Sequence, residues 1–142
     1  MSLRNRRSPS GPATDIQIPI LGAGSITASA TEYLALGELA GVPDETDGQY
    51  LIPQAGVLSS LSMKNIVAGA VSGSVTYNVR KNGVLIAGAT GVLANTSVDP
   101  LVIQIGAGVV EGDLISIQAV STAFGGASPI VRSTLLYAPG PS

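Results

Sequence analysis

The chain has 142 residues, enough for one domain that buries roughly 68–70% of the surface its unfolded form exposes. It holds 18 glycines, 9 prolines, no cysteine and no histidine, which excludes disulfides, thiolate metal sites, and the commonest general base and pH switch. Only 11% of residues are charged, against about 25% in an ordinary domain, which points to a surface covered by other protein in an obligate assembly.

Residues 1–14, MSLRNRRSPSGPAT, stand apart, with Arg4, Arg6 and Arg7 among Ser, Pro and Gly and no apolar periodicity. Such a segment is expected to be extended or disordered in isolation. SPSGPATD follows the basic residues where a signal peptide would carry its apolar core. The rest of the chain sets four cations against nine acids, net −5, so a basic arm leads an acidic body. Ile16, Ile18 and Ile20 alternate with Gln17 and Pro19, and Pro19 suggests an edge position or an arm that only partly pairs. The extended arm is taken as residues 1–21 and the folded domain as 22–142.

Ser25–Leu36 reads as strand, although Ser29 and Glu32 have the spacing of a helical capping box. Ala40–Gly48 is an acidic loop, Tyr50–Pro53 a short strand, and Val57–Val67 a strand led by Leu61 and Met63. Gly73–Gly88 is a β-hairpin written out in sequence. Val75, Tyr77 and Val79 alternate with Thr76, Asn78 and Arg80, and Asn82-Gly83 supplies the two positive-φ residues of a type I′ turn. That loop pairs Lys81 with Val84 and Val79 with Ile86, placing Val79 and Ile86 on one face.

Thr90–Ala94 and Pro100–Ile105 are strand-like, the second turning Leu101, Ile103 and Ile105 to one side. Glu111-Gly112-Asp113 is a turn into Leu114–Val120, with Ile115, Ile117 and Ala119 on one face, and Ile130–Tyr137 is the last strand. About eight strands with turn signals roughly every 8–12 residues make an all-β sandwich or barrel. The charge-free run Leu114–Val131 is too interrupted by Gln118, Thr122, Gly125, Gly126 and Pro129 to cross a membrane as a helix.

No residue set carries chemistry. Asp44, Glu45 and Asp47 are the densest oxygen ligands, yet they lack EF-hand spacing and read as a solvated loop. Gly106-Ala107-Gly108 with Gly112 misses the phosphate-loop spacing and reads as a turn before a strand. The body acids Glu32, Glu38, Asp99, Glu111 and Asp113 mostly sit at inferred strand ends, and no Gly-x-Ser-x-Gly elbow occurs. Asn95-Thr96-Ser97 has the glycosylation pattern, which is frequent by chance. Three arginines without stacking aromatics are too few for a nucleic-acid site, and an acidic protein partner suits the arm better. The expectation is a protein that is not an enzyme and uses no cofactor or metal.

Four segments, Glu32–Gly37, Gln49–Met63, Ser74–Val84 and Glu111–Gln118, taken in this order, resemble the jelly-roll domains of bacteriophage virion and bacterial spore-surface proteins, similar to C1q and tumour necrosis factor heads. The resemblance covers Thr31 to Tyr137, and its most specific parts are the RKNG hairpin and the Gly-Asp turn. It implies a jelly-roll β-sandwich of about eight antiparallel strands that forms homodimers or homotrimers and acts by binding. Spore-surface members carry a collagen-like stalk, and here a short basic arm takes its place. The resemblance then implies a capsid cement (decoration) protein on the outer surface of a phage head, clamping the major capsid protein, without nucleic acid or membrane. Its arm contacts would be Arg4, Arg6, Arg7, Ile16, Ile18 and Ile20. The alternative is a receptor- or glycan-binding head of a phage or spore-surface fibre.

Overall fold

The computed structural model describes residues 16–36, 41–67 and 72–140. Ten strands follow in order: β1 (Ile18–Ser25), β2 (Thr31–Leu36), β3 (Gly41–Val42), β4 (Tyr50–Leu51), β5 (Gly56–Val67), β6 (Ser74–Lys81), β7 (Val84–Ala94), β8 (Leu101–Val109), β9 (Leu114–Ser121) and β10 (Ile130–Pro139). A single 3-10 turn, Glu45–Gly48, lies between β3 and β4, and there is no α-helix among the described residues.

All pairings are antiparallel, in the order β7-β6-β9-β2-β1-β10-β5-β8. The path folds into two sheets, β1-β10-β5-β8 and β2-β9-β6-β7, with β3 added to β2 and β4 to β9. β2 turns the corner between them: Thr31–Tyr33 pair with β9, whereas Ala35 and Leu36 pair with Ala23 and Gly22 of β1. Four pairs nest inside one another, β1 with β10, β2 with β9, β5 with β8 and β6 with β7. This is one long hairpin rolled into a sandwich, the jelly roll. The Asn82-Gly83 turn is the apex of that hairpin.

Period-2 alternation builds the core directly. Val75, Tyr77 and Val79 on β6, Ile115, Ile117 and Ala119 on β9, and Val131, Leu135 and Tyr137 on β10 all turn inward and are buried. Leu58, Leu61 and Met63 of β5 and Ile103 and Val109 of β8 join the β10 residues in one sheet and meet those of β6 and β9 from across the sandwich. Tyr137 donates its hydroxyl to the carbonyl of Gln54, while the buried Tyr77 hydroxyl has no partner among the described residues, and burial pushes its ionisation well above the ordinary tyrosine value.

Several local expectations change in three dimensions. The stretch Ser25–Leu36 is broken at Ser29, where φ is +52°, because the chain must cross from one sheet to the other. Glu32 makes no capping box. Its carboxylate accepts the Thr27 N–H and hydroxyl, both at 2.9 Å, and so braces that crossing. Asn82 (φ +53°) and Gly83 (φ +81°) form the expected turn, and Lys81 pairs with Val84. Val79 does not pair with Ile86, however: the register jumps from Arg80↔Leu85 to Asn78↔Thr90 across a wide bulge containing Gly88 at φ +80°. Ile86 still packs against the core that buries Val79.

The expected acidic loop contains β3 and the 3-10 turn. Gly106–Gly108 is no turn but part of β8, where Gly106 (φ +64°) lies in a bulge between Gln104↔Ser60 and Ala107↔Leu58. The boundary drawn at residue 21 falls inside β1, so the domain takes in Ile18–Leu21. Pro19 sits where β1 pairs with β10 alone, since β2 reaches only Gly22 and Ala23.

Candidate functional site

The outer face of the β2-β9-β6-β7 sheet is built from the polar half of the hairpin alternation. Register aligns Thr90, Asn78, Gln118 and Tyr33 across four strands. They form one hydrogen-bonded ladder: Thr90 Oγ1 donates to Asn78 Oδ1 (2.6 Å), Asn78 Nδ2 to Gln118 Oε1 (2.9 Å), and Gln118 Nε2 to the Tyr33 hydroxyl (3.3 Å). Each amide keeps hydrogen-bonding capacity toward solvent. One flanking row, Val92, Thr76, Val120 and Thr31, leaves Val92 59% exposed.

The other flank is ionic. Arg80 Nε lies 2.7 Å from Glu45 Oε2, Ser116 Oγ donates to the same oxygen at 2.6 Å, and Arg80 also donates to the Gly83 carbonyl. Burial alone would raise the Glu45 carboxyl, but the hydrogen bonds from Arg80 and Ser116 and the guanidinium charge outweigh it and hold the group below its ordinary value. The 3-10 turn carrying Glu45 covers Ser116, which is buried although it faces outward. Asp44 and Asp47 remain exposed, and among the described residues no three of His, Cys, Asp and Glu converge on a metal-sized site.

At one end of the sandwich the two turns singled out in the sequence are interlocked. Asn82 exchanges bonds with Leu114 as a strand residue would, its backbone N–H donating to the Leu114 carbonyl (2.7 Å) and its Oδ1 accepting the Leu114 N–H (2.9 Å). Its Nδ2 donates to Asp113 Oδ1 at 2.9 Å, and Asp113 Oδ2 accepts the Val110 N–H at 2.9 Å. The Val110 N–H, the Asn82 amide and the Lys81 charge lower the Asp113 carboxyl despite a small opposing desolvation. The Asn-Gly and Gly-Asp turns are therefore one structural unit.

The outer face of the other sheet differs in character. Leu21, Thr134, Ser62 and Val102 form one row across β1, β10, β5 and β8. Leu21 is 61% and Val102 51% exposed. In the next outward row Arg132 of β10 stands directly opposite Lys64 of β5. Between these rows runs a shallow groove of about 200 Å³ lined by Ser62, Lys64, Pro100, Arg132 and Thr134.

Of the arm contacts expected from sequence, Arg4, Arg6 and Arg7 lie outside the described residues, as does the acid Glu38. Ile16 is 64% exposed, and Ile18 is partly exposed and pairs with Tyr137 of β10. Ile20 is 4% exposed and belongs to the core, so no partner reaches it while β1 is in place. The side chain of Asn95 is wholly buried and donates to the Ser72 carbonyl at 3.2 Å, which removes the glycosylation pattern from the folded surface. The amide ladder and the Lys64–Arg132 pair carried no sequence signal, because both exist only through cross-strand register. Comparison with models of known protein families and with curated proteins finds no match.

Proposed function

We propose that the protein is a structural virion component, a capsid cement (decoration) protein that binds the outside of a phage head and stabilises contacts between major capsid subunits. The observation that carries this reading is the distribution of exposed large apolar side chains. Leu21 and Val102 lie on one sheet face, Val92 on the other, and Leu51, Val84 and Val110 around the interlocked end, in a chain with 11% charge. Isolated soluble monomers rarely expose apolar surface this widely with so little charge. Jelly rolls also serve as capsid domains, which supports the reading by analogy of fold alone.

The mechanism is additive burial. Each copy, alone or as a homodimer or homotrimer, covers part of a seam between capsid subunits. The basic arm with Arg4, Arg6 and Arg7, continued by Ile16 and Ile18, anchors it. Many copies raise the free energy needed to open the shell, because they bind the assembled state and not its separated parts. Copy number per particle tests the reading: hundreds of copies support it, whereas a few tens or fewer sink it. Deleting residues 1–14 should weaken attachment while leaving the domain folded, and undiminished attachment refutes the anchoring role.

A receptor- or glycan-binding fibre head is the second reading. What favours it is the uncharged amide ladder Thr90–Asn78–Gln118–Tyr33, whose spare donors and acceptors suit a polyol. Low copy number together with loss of host binding in Gln118→Ala would select it over the cement reading.

A further inference from the structure

Lys64 and Arg132 are two of the four cations outside the first 14 residues. They are direct cross-strand neighbours on an exposed face, an arrangement that destabilises a sheet unless an anion lies between them. Among the described residues the one ion pair is Arg80–Glu45, so neither has a carboxylate partner. Asp99, which precedes the groove residue Pro100, does not close on either of them. Among the described residues the fold thus keeps a like-charge pair beside a groove with no carboxylate to neutralise it.

We propose that this face docks an acidic segment of another polypeptide, its carboxylates between Lys64 and Arg132 and its apolar side chains in the space between Leu21 and Val102. The proposal rests on the reading that the domain works by docking onto protein, but it does not require a virion. Charge complementarity identifies the occupant. Outward rows of a sheet repeat about every 7 Å, the spacing of residues i and i+2 in an extended chain. A strand-like segment aligned along β10 and β5 therefore sets an acid on the Lys64–Arg132 row and an aliphatic residue over Thr134 and Ser62, between Leu21 and Val102. Nucleic acid fits poorly, since two cations supply few phosphate contacts and the flanking row ends in the exposed side chains Leu21 and Val102.

The test uses the full chain and three probes: a labelled, end-blocked octapeptide repeating Glu-Thr-Val-Thr, the same peptide with Gln for Glu, and a 20-nucleotide single strand. The expected result is that the acidic peptide binds about tenfold more tightly than its Gln counterpart, and that K64Q/R132Q removes this advantage. The melting temperature of K64Q/R132Q should be unchanged or raised, because a repulsion has been relieved, and its mass by light scattering should match that of the wild type.

Equal binding of both peptides, or indifference to K64Q/R132Q, overturns the proposal. So does tighter, Lys64- and Arg132-dependent binding of the oligonucleotide. A fall in oligomer mass in K64Q/R132Q assigns the face to a second copy of the chain, and a lowered melting temperature assigns the pair a structural role. Failure of the peptide test with high copy number on particles removes the groove alone, whereas peptide binding with low copy number removes the cement reading alone.

Discussion

Replacing Asn82 with Ala tests whether the hairpin apex and the Gly-Asp turn are one mechanical unit. Asn82 sits at φ +53°, where Ala pays roughly 1–2 kcal/mol and Asn less. Its amide also accepts the Leu114 N–H and donates to the Asp113 carboxylate, both at 2.9 Å. Each such bond contributes about 0.5–1.5 kcal/mol net, at the lower end here because the site is exposed. The expected loss is therefore about 2–3 kcal/mol, a fall in melting temperature of roughly 5–10 °C for a domain of this size. Asn82→Gly keeps the turn conformation and loses only the side-chain bonds, so it should cost about 1–2 kcal/mol. Urea unfolding at fixed protomer concentration measures both. A loss below about 0.5 kcal/mol for the Ala variant refutes the interlock, and equal losses for Ala and Gly refute the backbone contribution.

Asp113 has a lowered carboxyl pKa, so its stabilisation is complete above the unfolded value near 4 and disappears as pH falls through the lower folded value. The gap in urea midpoint between wild type and Asp113→Asn should accordingly be full at about pH 6 and close by about pH 2. A Cβ at Gly56 would press on the Ala138 carbonyl and lie 2.8 Å from Pro139 Cα and 2.9 Å from Tyr137 Cε1, so Gly56→Ala should cost about 2–4 kcal/mol. Gly108→Ala, with nothing within 4 Å, should stay within about 0.5 kcal/mol, and thermal melts of the two variants compare them. A double-mutant cycle of Glu45→Ala and Arg80→Ala should return a coupling of about 1–2 kcal/mol, since both side chains are only about one-fifth exposed and Ser116 shares the carboxylate.

The legibility of each element followed the range of the interactions that make it. The Asn82-Gly83 turn was readable because its positive φ values are a property of those two residues. The inward faces of β6, β9 and β10 were readable because alternation needs only a strand and a buried side. The Val79–Ile86 pairing fails because the bulge at Gly88 shifts the β6–β7 register, and the Asn-Gly turn that sets the pairing at the apex carries no sign of it. Ile20 reads as an arm residue in the sequence because nothing local says that β10 returns from the far end of the chain to pair with it.

Composition and pattern alone settled that this is an all-β chain without cysteine or histidine chemistry, folded around an Asn-Gly apex. Which residues share an outer face was decided only in three dimensions. Thr90, Asn78, Gln118 and Tyr33 are dispersed along the chain, as are Lys64 and Arg132, and register alone makes neighbours of them. A one-residue slip in any of those strands would turn the same side chains to the opposite face. Local sequence sets which side of its own strand a residue takes, but only the pairing of distant strands sets what lies beside it.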